Sequence, residues 1–122
     1  MVTKIYECDT YRFRVFIDFG DKSVSEGYHQ LSKNTIKFKK FWVVVVAVKE
    51  GSSTKEQFNY EGNCDGGKIF AIKVNQDRFY GVMSSHDNYR VFVISKFLKK
   101  ETQKNDKKIK QVLTTISLPE FE

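Results

Sequence analysis

Residues 68–95 decide the fold: Lys68-Ile-Phe-Ala-Ile-Lys-Val74, then Asn75-Gln76-Asp77, then Arg78-Phe-Tyr-Gly-Val-Met-Ser84, then Ser85-His86-Asp87-Asn88, then Tyr89-Arg-Val-Phe-Val-Ile-Ser95. Three runs rich in Ile, Val, Phe and Tyr are separated by two short polar groups. β-branched and aromatic side chains suit a pleated, half-buried surface, while Asn, Asp and Ser satisfy their own backbone in tight turns. The stretch therefore predicts an antiparallel meander with strands at 68–74, 78–84 and 89–95. Side chains alternate along a strand, so Arg78, Tyr80 and Val82 share one face of the middle strand.

Upstream, residues 11–18 alternate in part, with Phe13, Val15 and Ile17 set against Arg12, Arg14 and Phe16. They predict a strand that can pair with residues 3–7. Gly20-Asp21 ends it, and Ser23 or Ser25 is a candidate cap for a short helix through Leu31. Residues 34–51 admit two readings. Asn34 suits a helix N-cap, Gly51 suits a C-terminal stop, and Ile36, Phe38, Phe41 and Trp42 recur near helical spacing. Val43-Val44-Val45-Val46 favours a strand, and on composition alone the strand leads. Residues 52–67, polar and holding Gly62, Gly66 and Gly67, predict a loop of 16 residues. Downstream, Asp106 opens a helix in which Ile109, Val112, Leu113 and Ile116 form an apolar stripe opposite the lysines, limited by Pro119. Strands with helices packed on one side make an α+β fold.

A chain of 122 residues predicts one domain, residues 1–122. Hydrophobic residues at 40%, 11 Phe, 6 Tyr and a single Pro exclude extended disorder and collagen-like or linker-rich organisation. The start lacks the apolar core of a signal peptide, and the longest apolar run, residues 41–48, is far short of the ~20 residues that cross a bilayer. Cys8 and Cys64 form neither a disulfide framework nor a metal-ligand cluster. A cytoplasmic protein without membrane contact, metal or cofactor is expected. His29 and His86 lack a second ligand at useful spacing, Gly66-Gly67 lacks the lysine of a phosphate loop, and no Gly-x-Ser-x-Gly occurs.

What remains is basic and aromatic. The net charge is +6, and residues 96–110 alone carry +5, from Lys96, Lys99, Lys100, Lys104, Lys107, Lys108 and Lys110 against Glu101 and Asp106. A second cluster is Lys33, Lys37, Lys39 and Lys40. Such charge is either a solvated face or a polyanion site, because neutralised phosphates release counterions. Arg78 is either a structural partner of Asp65 or Asp77 or a fork for two phosphate oxygens. Were chemistry to follow, the simplest is attack by a ribose 2′-hydroxyl on the adjacent phosphate, which needs a base, an acid and cations.

Residues 68–83, 89–95 and 97–104, taken in order, resemble RelE/HigB-type toxins. In that family a strand reading K-I-x-E-I-R, a strand opening with Arg, an apolar strand and a G-F-x-K-K-T-x-K-T-P segment follow at this spacing. The resemblance implies a RelE-like α+β fold: a small antiparallel sheet (the N-terminal strand plus the meander), two N-terminal helices and a basic C-terminal helix. It makes residues 34–49 the second helix. It also implies an endoribonuclease acting on mRNA, typically at the ribosome, and neutralised by a cognate antitoxin. Arg78 then matches the residue that contacts the scissile phosphate. Lys99, Lys100 and Lys104 match the basic catalytic segment, and Lys68, Lys73, Tyr80, Lys96, Lys107 and Lys108 are candidate RNA contacts. Glu101 interrupts the basic motif, Asn105-Asp106 replaces Thr-Pro, and neither His nor Tyr follows Tyr89. A lysine would have to move the proton. A non-catalytic module binding nucleic acid or protein, and a purely structural role for the lysines, stand as the other readings.

Overall fold

The computed structural model describes residues 1–100 and 106–120. In chain order its elements are β1 (Val2–Cys8), β2 (Phe13–Asp18), α1 (Lys22–Lys33), α2 (Thr35–Glu50), β3 (Phe58–Cys64), β4 (Gly67–Val74), β5 (Asp77–His86), β6 (Tyr89–Lys99) and α3 (Asp106–Leu113). The strands form one sheet in the order β1-β2-β6-β5-β4-β3. The meander is present as β4-β5-β6, and β1 pairs antiparallel with β2, as the alternation predicts.

The small antiparallel sheet is corrected on two counts: it has six strands, and it is mixed. β2 pairs parallel with β6, with Phe13 to Ile17 opposite Arg90 to Ile94. A parallel pair needs a long connection to bring the chain back in the same direction, and here two helices and three strands supply it. The sixth strand, β3, lies inside the predicted loop and pairs with β4 along the sheet edge. Its sequence, with two Asn and one Gly, has no clean alternation, and a register shift near Gly62 breaks the pattern further. What holds it is tertiary: the Phe58 ring stacks on Phe70 at 4.7 Å.

Residues 34–51 form a helix, against the strand reading of composition. Asn34 Oδ1 accepts from the Lys37 N–H at 3.1 Å. Gly51 closes the other end in the left-handed region at φ 72°, returning its N–H to the Ala47 and Val48 carbonyls. Phe41, Val44, Val45 and Val48 are buried against the sheet. That burial outweighs a helix-propensity deficit of a few tenths of a kcal/mol per valine. The cap of α1 is Asp21, not Ser23 or Ser25; its Oδ1 accepts from the Val24 N–H at 3.2 Å.

α1 and α2 cover the inner face of the sheet, over Phe13, Val15, Ile17, Ile72, Phe79 and Phe92. The outer face is covered by α3 and the segment after it. Ile109, Leu113, Ile116 and Leu118 pack there on Ile69, Ala71, Tyr80 and Val82, and the Leu118 N–H donates to the Asp65 carbonyl at 3.2 Å. Ile109, Leu113 and Ile116 of the predicted stripe thus pack as expected, while Val112 lines a smaller cleft with Phe97 and Leu98 and the helix itself stops at Leu113.

Candidate nucleic-acid interface

The β4–β5 turn, Asn75 to Asp77, gathers cations from three parts of the chain. Lys73 and Arg78 stand directly opposite each other across β4 and β5, and Arg78 is also opposite Leu98 of β6. By alternation these three share the outer face with Tyr80. From the helical side, Lys37 Nζ lies 3.5 Å from Asp77 Oδ2, and Lys40 Nζ donates to Asn75 Oδ1 at 3.1 Å. From the end of β6, the Lys100 N–H donates to the Gln76 carbonyl at 2.7 Å.

Arg78 takes neither structural carboxylate offered by the sequence. Its Nη1 donates to the carbonyls of Asn75 at 2.7 Å and Asp77 at 3.1 Å. Among the described residues neither Arg78 nor Lys73 forms an ion pair. Like charges directly opposite in a sheet cost roughly 0.2–1 kcal/mol, a cost that a bound anion would relieve. Arg78 is half-buried and rigid at its base, with Nη2 and Nε left to fork onto an anion.

The other candidates divide. Lys99 is in register with Asp77, so it belongs to the inner side, where it lines a cleft of about 1140 Å³ with Lys33, Asn34, Lys37, Asp77 and Phe97. Lys100, next along the chain, falls on the opposite side. Lys96 pairs with Asp21 at the start of α1. Burial pushes the Asp21 carboxyl up, but the Lys96 ammonium, the Ser23 hydroxyl and the Val24 N–H outweigh it and hold it below the usual value. Tyr80 is 1% exposed beneath the outer cover, so its ring offers no surface to a base. Lys68 is exposed at the far end of β4, opposite Met83. Lys107 and Lys108 are exposed on α3. Lys104 and Glu101 lie outside the described residues.

Sequence reading missed the convergence of the two basic clusters, because they are some 60 residues apart and only the turn brings them together. The signal available was the second lysine cluster itself. Asp77, which the sequence offered as a partner for Arg78, is instead a buried carboxylate lining the cleft and facing Lys37. Neither histidine joins the site: His29 is exposed on α1 outside the cleft lining, and His86 ends β5 beside Asp87 at 3.3 Å. Cys64 is a free thiol that burial pushes up, away from the reactive thiolate. No helix among the described residues is long and apolar enough to cross a membrane. Comparison with protein-family models, with curated proteins and with solved structures finds no match to this chain.

Proposed function

We propose that this chain is a RelE/HigB-like endoribonuclease that holds RNA at the β4–β5 end of its sheet and cleaves it without a metal. The observation that carries the proposal is the opposed Lys73–Arg78 pair, unneutralised among the described residues, at a turn that Lys40 and Lys100 also bond and that Lys37 and Lys99 approach from the inner side. Phosphodiesters are the anions that match it. Arg forks onto two phosphate oxygens, and the lysines add point charge along the strand. In the reaction the ribose 2′-oxygen bonds to phosphorus as the bond to the 5′-oxygen breaks, leaving a 2′,3′-cyclic phosphate and a 5′-hydroxyl. One proton leaves the 2′-oxygen and one reaches the departing oxygen, and Lys99, Lys100 or Lys104 carries them. Arg78 and Lys73 stabilise the charge of the five-coordinate phosphorus. The wider proposal places the protein in the cytoplasm, acting on mRNA at the ribosome and restrained by an antitoxin.

Incubating the purified chain with RNA in EDTA should yield 2′,3′-cyclic phosphate ends, and Arg78→Ala should abolish them while leaving the fold intact. RNA that stays whole at saturating protein overturns cleavage. A binding-only reading is favoured by the imidazole-free site and by the use of Arg78 Nη1 in its own turn. It predicts salt-dependent RNA affinity without cleavage. In that case Lys73→Glu should reduce the slope of log K against log salt by roughly 0.7 per lost phosphate contact.

A further inference from the structure

α2 carries apolar residues on both of its sides. Phe41, Val44, Val45 and Val48 face the sheet, while Ile36, Val43 and Val46 stay open to solvent at 72%, 55% and 37% exposure. Single surface hydrophobics are ordinary, but these three are half of the large exposed apolar residues in the described chain and lie along one face of one helix. Their spacings of seven and three residues are those of a seam between paired helices. Exposed valines also lower helix propensity, and at 55% and 37% exposure Val43 and Val46 recover only part of that through burial within the single chain.

The polar residues of that face are exposed Lys39 and Lys40 in its N-terminal half and exposed Glu50 at its C-terminal end. Among the described residues Lys39 forms no ion pair, and Glu50 has only a contact with Lys49 at 3.8 Å. This arrangement is self-complementary. A parallel copy of α2 would set Lys39 beside Lys39. An antiparallel copy centred between Val44 and Val45 sets Val43 against Val46 and, in the same register, Lys39 against Glu50, each contact made twice by symmetry. Antiparallel helices also align their dipoles favourably.

We propose that the open face of α2 is a homodimer interface, antiparallel, with Val43 packed on Val46 and Lys39 paired with Glu50 of the second copy. The helix is 16 residues long, about 24 Å, so the seam is small and the dimer forms reversibly, in roughly the micromolar range. The interface stands whether or not the chain binds or cleaves RNA.

Sedimentation velocity over a broad concentration series tests it. A reversible monomer–dimer equilibrium is expected. Val43→Glu should give a monomer whose circular dichroism and melting temperature match the parent, since the position is open to solvent. Lys39→Glu and Glu50→Lys should each weaken the dimer roughly tenfold, and the double reversal should restore it. A chain that is monomeric at every concentration overturns the proposal. So does a dimer that tolerates Val43→Glu, or one that the double reversal fails to restore.

Discussion

The two faces of the sheet are built to different specifications. Inside, 28 helical residues of α1 and α2 close over a continuous aromatic network in which Phe41 meets Tyr28 at 5.9 Å, Trp42 at 5.2 Å and Phe79 at 5.5 Å. Edge-to-face rings add about 0.5–1.5 kcal/mol per pair beyond their burial. Gly27 shows how tight this layer is: a methyl there would come within 2.4 Å of the Phe97 ring. Outside, the cover is an 8-residue helix and a short tail, of which Ile116 is the one buried hydrophobic among the described residues after Ile94. Among the described residues the opposed cations pair with no acid on that thinly covered side. Labour is divided between the two faces: the inner face holds the larger share of the buried apolar side chains, and the like-charged pair lies on the outer one.

Core truncation gives the largest test of that division. Phe41→Ala removes a fully buried ring and should cost about 3–5 kcal/mol, read as a lower midpoint in urea. Ile116→Ala cuts the main anchor of the outer cover and should cost about 2 kcal/mol, the low end for such a truncation, because the short tail can settle into the space. Equal losses for the two variants would break the comparison and give the outer face an equal share of the folding energy.

A smaller effect sharpens the junction between the faces, where Asp21 caps α1 and holds Lys96. The Asp21 carboxyl lies below its ordinary value of 3.8, so the unfolded chain takes up this proton first as pH falls. Its contribution is present above the ordinary carboxylate range and is lost as pH drops through the depressed value. Asp21→Asn keeps an N-capping oxygen but loses the charge. It should cost about 0.5–1 kcal/mol near neutral pH, with the gap to the parent closing as pH falls through the depressed value of the Asp21 carboxyl. A gap that stays constant across the acid limb would show that capping geometry, not the Lys96 pair, carries the effect.

Elements written in short-range chemistry were legible in the sequence. The meander could be read because its turns are built from Asn, Asp and Ser, and the apolar stripe of α3 because it repeats every three or four residues. α2 could not be read from composition, since four consecutive valines look the same whether a strand or a buried helix takes them up. β3 was hidden because its stability comes from Phe70 and the β4 edge rather than from its own residues. In the candidate site, alternation put Arg78 and Tyr80 on one face correctly, but it could not show that the C-terminal segment covers Tyr80. Nor could it show that β6 runs on to Lys99, which sends Lys99 and Lys100 to opposite sides.

By itself, then, the sequence determined the α+β class, the three meander strands, the basic C-terminal helix and the concentration of positive charge in two stretches. These depend on neighbours in the chain, which periodicity, turn chemistry and simple counting reach. The tertiary structure decided which of those charges meet, which are neutralised and which side chains are covered. Lys37 and Lys40 reach Asp77 and Asn75, in the turn that leads into Arg78, only because the chain folds two helices back across the sheet and brings the start of α2 to the β4–β5 turn. Electrostatic partnership is set by distance in space, and between residues forty positions apart that distance exists only after folding.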